Sequence, residues 1–203
     1  MATGDWGVIA ACILIAYLAG SIPFGLIFAK ARGHGDIRAL GSGNIGATNV
    51  LRTGDKKLAL ATLLCDMAKG FLPVLIARHF GPAPAAAAMI ASPLGHVFPI
   101  WLGFKGGKGV ATGGGALLGY VWPAALAVAA TWILVALVSR YSSLAAIAAA
   151  AAAPLYAWLF SQTPGAAFVV LPVALVVIWR HEDNMRRLRR GEESKIRLTR
   201  KRA

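Results

Sequence analysis

Six apolar stretches dominate the chain: residues 6–29, 58–77, 83–102, 109–138, 143–160 and 164–179. At about 20 residues per helical crossing, they supply roughly six or seven transmembrane helices. Two polar stretches stand apart, a loop from Lys30 to Lys57 and a tail from Arg180 to Ala203. Asp5 precedes the first run with no Lys or Arg, so the run lacks the basic flank of a secretory signal and reads as a retained helix. The alanines 148–153 are the one low-complexity stretch, and small residues let membrane helices approach closely.

Composition narrows this further. Of 203 residues, 58% are apolar and only 14% charged, which excludes a disordered chain, a secreted disulfide scaffold and a soluble α/β enzyme. No second domain fits, so residues 1–203 form one membrane-embedded domain and 180–203 its basic tail. Cys12 and Cys65 lie inside apolar runs and pack as small hydrophobes. The net charge of +13 would suggest nucleic acid in a soluble protein. In a membrane protein, excess Lys and Arg mark cytoplasmic loops.

Those loops set the topology. The tail holds ten Lys and Arg against four acids, loop 30–57 six against two, and loop 103–109 carries Lys105 and Lys108 with no acid. All three are expected in the cytoplasm, with loop 161–163 and the N-terminus outside. Parity then places Arg140 inside, and run 109–138 begins and ends on the same side. It must break, and Gly119–Pro123 supplies the signal. The expectation is an all-α integral membrane bundle of seven helical segments, N-terminus out and C-terminus in. Segment 109–119 is too short to cross, at about 16 Å, and short helices of this kind usually line a site.

Several polar residues sit where lipid should exclude them. Asp66 and Lys69 share a helical face within a span, either a functional pair or a mutually neutralising structural one. His96 lies in another span. The loop Gly41-Ser-Gly-Asn-Ile-Gly-Ala-Thr-Asn49, followed by Arg52, combines glycines with uncharged hydrogen-bonders and a fixed cation. That composition suits a phosphate. Lys105-Gly-Gly-Lys-Gly-Val-Ala-Thr112 places glycines at a helix start, a second anion cradle. It is not a P-loop, because Gly109 follows Lys108. In the tail, His181 and Asn184 are one turn apart, with Arg140, Ser142 and Ser143 at a similar depth.

In this order the pieces resemble the bacterial acyl-phosphate:glycerol-3-phosphate acyltransferases of the PlsY type. The matching strings are Gly20–Gly25, Gly41–Asn49 with Arg52, Asp66–Gly70, Gly95-His96, Phe104–Thr112, Arg140–Ser143, and Arg180-His181 with Asn184, Arg187, Gly191, Glu193 and Lys195. The resemblance implies transfer of a fatty acyl group from acyl phosphate to the 1-hydroxyl of glycerol 3-phosphate, giving lysophosphatidate and inorganic phosphate. It implies a site open to the cytoplasm in the bacterial inner membrane and a contact with the soluble enzyme that makes acyl phosphate; no cofactor or metal is expected, since no acidic cluster could hold Mg²⁺. Ser42, Gly43, Asn44, Gly46, Thr48, Asn49, Gly109 and Thr112 would hold the acyl phosphate. Arg52, Lys108, Ser142, Ser143, His181, Asn184 and Glu193 would hold glycerol 3-phosphate. Lys108, His181 and Asn184 would be catalytic, with either His181 or the donor phosphate taking the proton.

Acyltransferases that use acyl-CoA or acyl-carrier protein generally carry an H-x4-D pair. Here Ala39, Pro84, Trp101 and Arg186 stand at the Asp position. A phosphatidyl-alcohol transferase would need several Asp on one helix, and Asp66 is the only acid in any span. An anion transporter remains a rival, since it too would explain a short helix and intramembrane charge.

Overall fold

The structure is a computed structural model and describes residues 5–41 and 43–196. Its ten α-helices are α1 Trp6–Ser21, α2 Phe24–Ala31, α3 Ala47–Val50, α4 Lys56–Ala77, α5 Pro82–Val97, α6 Val110–Tyr120, α7 Trp122–Ser139, α8 Ser142–Phe160, α9 Ala166–Trp179 and α10 Glu182–Arg189. No strand occurs among the described residues. Among the described residues, five stretches are long and apolar enough to cross a bilayer: 6–31, 56–80, 82–102, 122–139 and 142–160. With 14 and 11 residues, α9 and α6 are shorter.

The boundaries have local causes. Run 6–29, expected as one helix, divides at Ile22-Pro23, because proline has no N–H to donate and pushes the residue before it out of the α region. Ile22 accordingly has ψ 118°. Asp55 caps α4 by accepting from the Leu58 N–H at 2.9 Å. Run 109–138 breaks at Val121, inside the expected turn, with Pro123 in the first turn of α7. The front of the tail, where a basic juxtamembrane helix is expected, forms α10.

Burial is inverted relative to a soluble protein. The interior is built from Ala16, Ala88, Ala116, Ala124 and Ala157, whereas Leu14, Leu64, Leu126, Val138 and Trp158 are exposed. Lipid is as apolar as leucine, so close packing of small residues holds such a bundle together. One such contact joins α4 and α6, which run parallel. A Cβ on Gly70 would stand 2.1 Å from the Thr112 carbonyl oxygen, and one on Gly115 would stand 2.0 Å from that of Met67.

Candidate functional site

Every basic loop except the α4–α5 turn converges on one end of the bundle. Arg52 donates to the Ser194 hydroxyl at 2.8 Å, and the Ile196 N–H donates to the Arg140 carbonyl at 2.7 Å. Arg180 donates to the carbonyls of Gly107 at 3.3 Å and Gly106 at 3.2 Å. A polar cavity of about 200 Å³ opens there, lined by Gly43, Asn44, Lys108, Arg180 and Arg187, with Trp179 and the acids Glu182 and Asp183 on its wall. A second, apolar cavity of about 50 Å³ begins at Gly109 and runs between α6, α8 and α9 past Gly113, Leu117, Ala150 and Val173.

Lys108 is aimed by a fixed relay. Its ammonium donates to the Asn184 Oδ1. The Asn184 Nδ2 donates to the Glu193 Oε1 at 2.7 Å, and Ser143 donates to the same oxygen at 2.9 Å. Arg187 holds the other carboxylate oxygen at 2.7 Å. An ammonium cannot accept and a carboxylate cannot donate, so the Asn184 amide has one permitted orientation. Burial lowers the Lys108 pKa to about 8, assisted by nearby Arg187 and opposed by Glu193. Burial alone would raise the Glu193 carboxyl, but hydrogen bonds from Asn184, Arg187 and Ser143 outweigh it and hold it below its ordinary value.

His181 is buried, with Nδ1 2.7 Å from the Val177 carbonyl. A carbonyl only accepts, so Nδ1 carries the proton and the neutral ring keeps its lone pair on Nε2. Burial lowers the pKa to about 4, against the raising effect of the Val177 bond. Neutrality is therefore its ordinary state.

The other expected residues are distributed unevenly. Gly43, with φ 67°, and Asn44, with a buried Oδ1 lacking a partner, reach the polar cavity. Asn49 donates to the Ile37 carbonyl at 2.7 Å and shapes the loop. Gly46 precedes α3, and Thr48 is exposed on it. Arg52 folds over Gly41 towards Asn49 at the rim. Gly109 belongs to the apolar cavity, and Thr112 is buried against α4 with an unpartnered hydroxyl. Ser142 opens α8, half-buried. Ser42 lies outside the described residues, as does the tail beyond Ile196. Arg180 and Arg187 were missed as cavity cations because a basic juxtamembrane helix reads as a headgroup anchor. Both lie one turn from Asn184, and that spacing was the available signal.

Deeper in the bundle, Lys69 Nζ stands 2.7 Å from the Asp66 Oδ1, and His96 Nδ1 is 3.8 Å from the same oxygen.

Comparison with known proteins agrees with this architecture. The family model described as glycerol-3-phosphate acyltransferase matches residues 10–191. A glycerol-3-phosphate acyltransferase of Methylorubrum extorquens is 54% identical over 191 residues, 94% of each chain. One from Brucella anthropi is 52% identical over 185 residues, 91% of each. Crystal structures of PlsY, an integral membrane glycerol 3-phosphate acyltransferase, are 38% identical. Its glycerol 3-phosphate form gives a TM-score of 0.88, covering 93% of this chain and 96% of that one. Its lysophosphatidic acid form gives 0.86, covering 93% and 95%.

Proposed function

The chain belongs to the glycerol-3-phosphate acyltransferase family, and from that premise we propose that it transfers a fatty acyl group from acyl phosphate to the 1-hydroxyl of glycerol 3-phosphate. The products are lysophosphatidate and inorganic phosphate, and the whole chain acts as one catalytic unit. One observation carries this reading: consecutive residues, Lys108 and Gly109, line a cation-lined polar cavity and an apolar one. A donor that is a phosphate at one end and an alkyl chain at the other has this shape.

In the proposed mechanism Gly43 and Asn44, with the loop that continues through Gly46, Thr48 and Asn49, hold the acyl phosphate. Its chain lies along Gly109 and Gly113. Arg52, Arg187 and the Ser142–Ser143 turn face the phosphate of glycerol 3-phosphate. The hydroxyl attacks the acyl carbonyl, and the C–O bond to phosphate breaks. Lys108 offsets the charge that grows on the carbonyl oxygen and the departing phosphate, the task with the largest leverage on acyl transfer. Asn184 and Glu193 keep it aimed. The hydroxyl proton passes to the donor phosphate, and neutral His181 positions the site; its Nε2 is the alternative acceptor. The seven segments lie in the bacterial inner membrane with the N-terminus outside, the basic end in the cytoplasm and the soluble maker of acyl phosphate within reach of it.

The test uses purified protein with labelled glycerol 3-phosphate and either acyl phosphate or acyl-CoA. Lysophosphatidate should form from acyl phosphate alone and persist in a metal chelator. Product only from acyl-CoA, or loss with chelator, would refute the donor assignment.

A further inference from the structure

The proposed chemistry leaves three buried side chains, Asp66, Lys69 and His96, without a task. A buried ion pair contributes little stability beyond apolar residues of the same volume, so the pair's presence asks for another account. Its surroundings supply one. Lys69 donates to the Ile22 carbonyl at 2.7 Å, at the break between α1 and α2. Beyond the break, α2 presses Gly25 against the loop of the polar cavity: a Cβ there would stand 2.0 Å from the Ile45 carbonyl oxygen, one residue after Asn44.

The other side of the cluster meets the second loop. The Gly107 N–H donates to the His96 carbonyl at 3.0 Å. The His96 ring meets the same residue end-on: a Cβ on Gly107 would stand 2.0 Å from Nε2 and 2.9 Å from both of its ring neighbours. Lys108 is the next residue. Arg180 grips the Gly106 and Gly107 carbonyls from the opposite direction. Asp66 is the shared point, with one oxygen facing both Lys69 and His96.

We propose that Asp66, Lys69 and His96 form a positioning brace that ties the Asn44 loop and the Lys108 loop to α4, fixing the distance between the two halves of the site. The inference rests on the role given to Lys108 above. His96 acts through Lys108: without its ring, Gly107 loses the Nε2 edge that it abuts, and backbone and Arg180 hydrogen bonds alone set the position of the loop behind the ammonium. Misplacement of a reacting group by about 1 Å costs on the order of 100-fold in rate.

The experiment is a double-mutant cycle on the purified full-length protein, reading kcat, both KM values and thermal unfolding. His96→Ala should lower kcat by about 10- to 100-fold, with KM for glycerol 3-phosphate within about twofold, and His96→Gln should recover part of the loss. In a Lys108→Ala background, His96→Ala should add no more than about a twofold loss, because residues that act through one another are not additive. Losses that multiply would overturn the brace while leaving the role of Lys108 intact. Full activity of Lys108→Ala would instead overturn the reading of the site. If His96→Ala fails to fold, Gly107→Ala replaces it in the cycle, since its Cβ would displace the loop from the ring, and its loss should likewise vanish without Lys108.

Discussion

Lys108 carries its charge in surroundings that oppose it, and two predictions follow from that tension. Removing one preorganised electrostatic donor from an acyl-transfer site costs about 100- to 1,000-fold in kcat. Lys108→Ala should lose at least about 100-fold, beyond any change in glycerol 3-phosphate affinity, as steady-state kinetics with both substrates varied would show. The charged form exists below the pKa of about 8, so kcat/KM should hold below that pH and fall as pH rises through it. Lys108→Arg, with a guanidinium that stays charged, should be slower but flat across the same range; an unchanged alkaline limb would assign the titration elsewhere. His181 makes a different comparison. Asn in its place keeps a donor for the Val177 carbonyl and loses the Nε2 lone pair, whereas Ala loses both. Partial activity of His181→Asn over His181→Ala marks positioning. Equal, near-complete inactivation of folded protein marks His181 as the base.

Among the elements, α6 explains why an 11-residue helix belongs in the bundle. It is seated by glycine contact on α4 and fastened at its far end by Arg78, which donates to the Gly119 carbonyl at 3.1 Å. Its near end carries Gly109 and, one residue earlier, Lys108. Displacing the helix therefore moves the site. Gly115→Val would drive its methyls into the Met67 backbone, 2.0 Å from the position of its Cβ. Overpacking of this kind costs about 1–3 kcal/mol. Thermal unfolding in detergent should fall by several degrees, and kcat should fall with it although no charged group is altered. Gly114, beside which a Cβ would meet nothing within 4 Å, serves as the control: Gly114→Ala should unfold near the parent temperature.

For the whole molecule, the governing fact is that charge and lipid-facing surface are segregated. The cytoplasmic assignment of the basic end can be tested in a Cys12→Ala, Cys65→Ala background. Trp122, 59% exposed at the turn between α6 and α7, should as Trp122→Cys react with an impermeant thiol reagent added outside cells. Lys105→Cys in the exposed loop at the other end should react only after permeabilisation. The reverse pattern would invert the topology. Much of this was legible in the chain. Run lengths and composition gave an all-helical membrane protein, because bilayer thickness sets helix length directly. Pro123 and Gly119 marked the break in 109–138, since a missing N–H acts locally. Gly41–Asn49 and Lys105–Thr112 stood out as glycine-rich polar loops, because composition is likewise read locally. Pro23 was equally visible but stood inside an apolar run, where hydropathy alone gives no boundary. The relay from Lys108 through Asn184 to Glu193 was not legible as geometry, nor was the entry of Arg180 and Arg187 into the cavity. Helix termini meet there from distant parts of the chain, and periodicity reports only which residues share a face of one helix. The same limit separates Gly109 and Thr112, three positions apart: packing of α6 turns one towards an apolar cavity and seals the other against α4. What the sequence determined by itself is whatever depends on chain-local chemistry and on the solvent, lipid or water, that each segment requires. Which side chains meet, and at what distance, was decided by how closely the small residues allow the helices to pack.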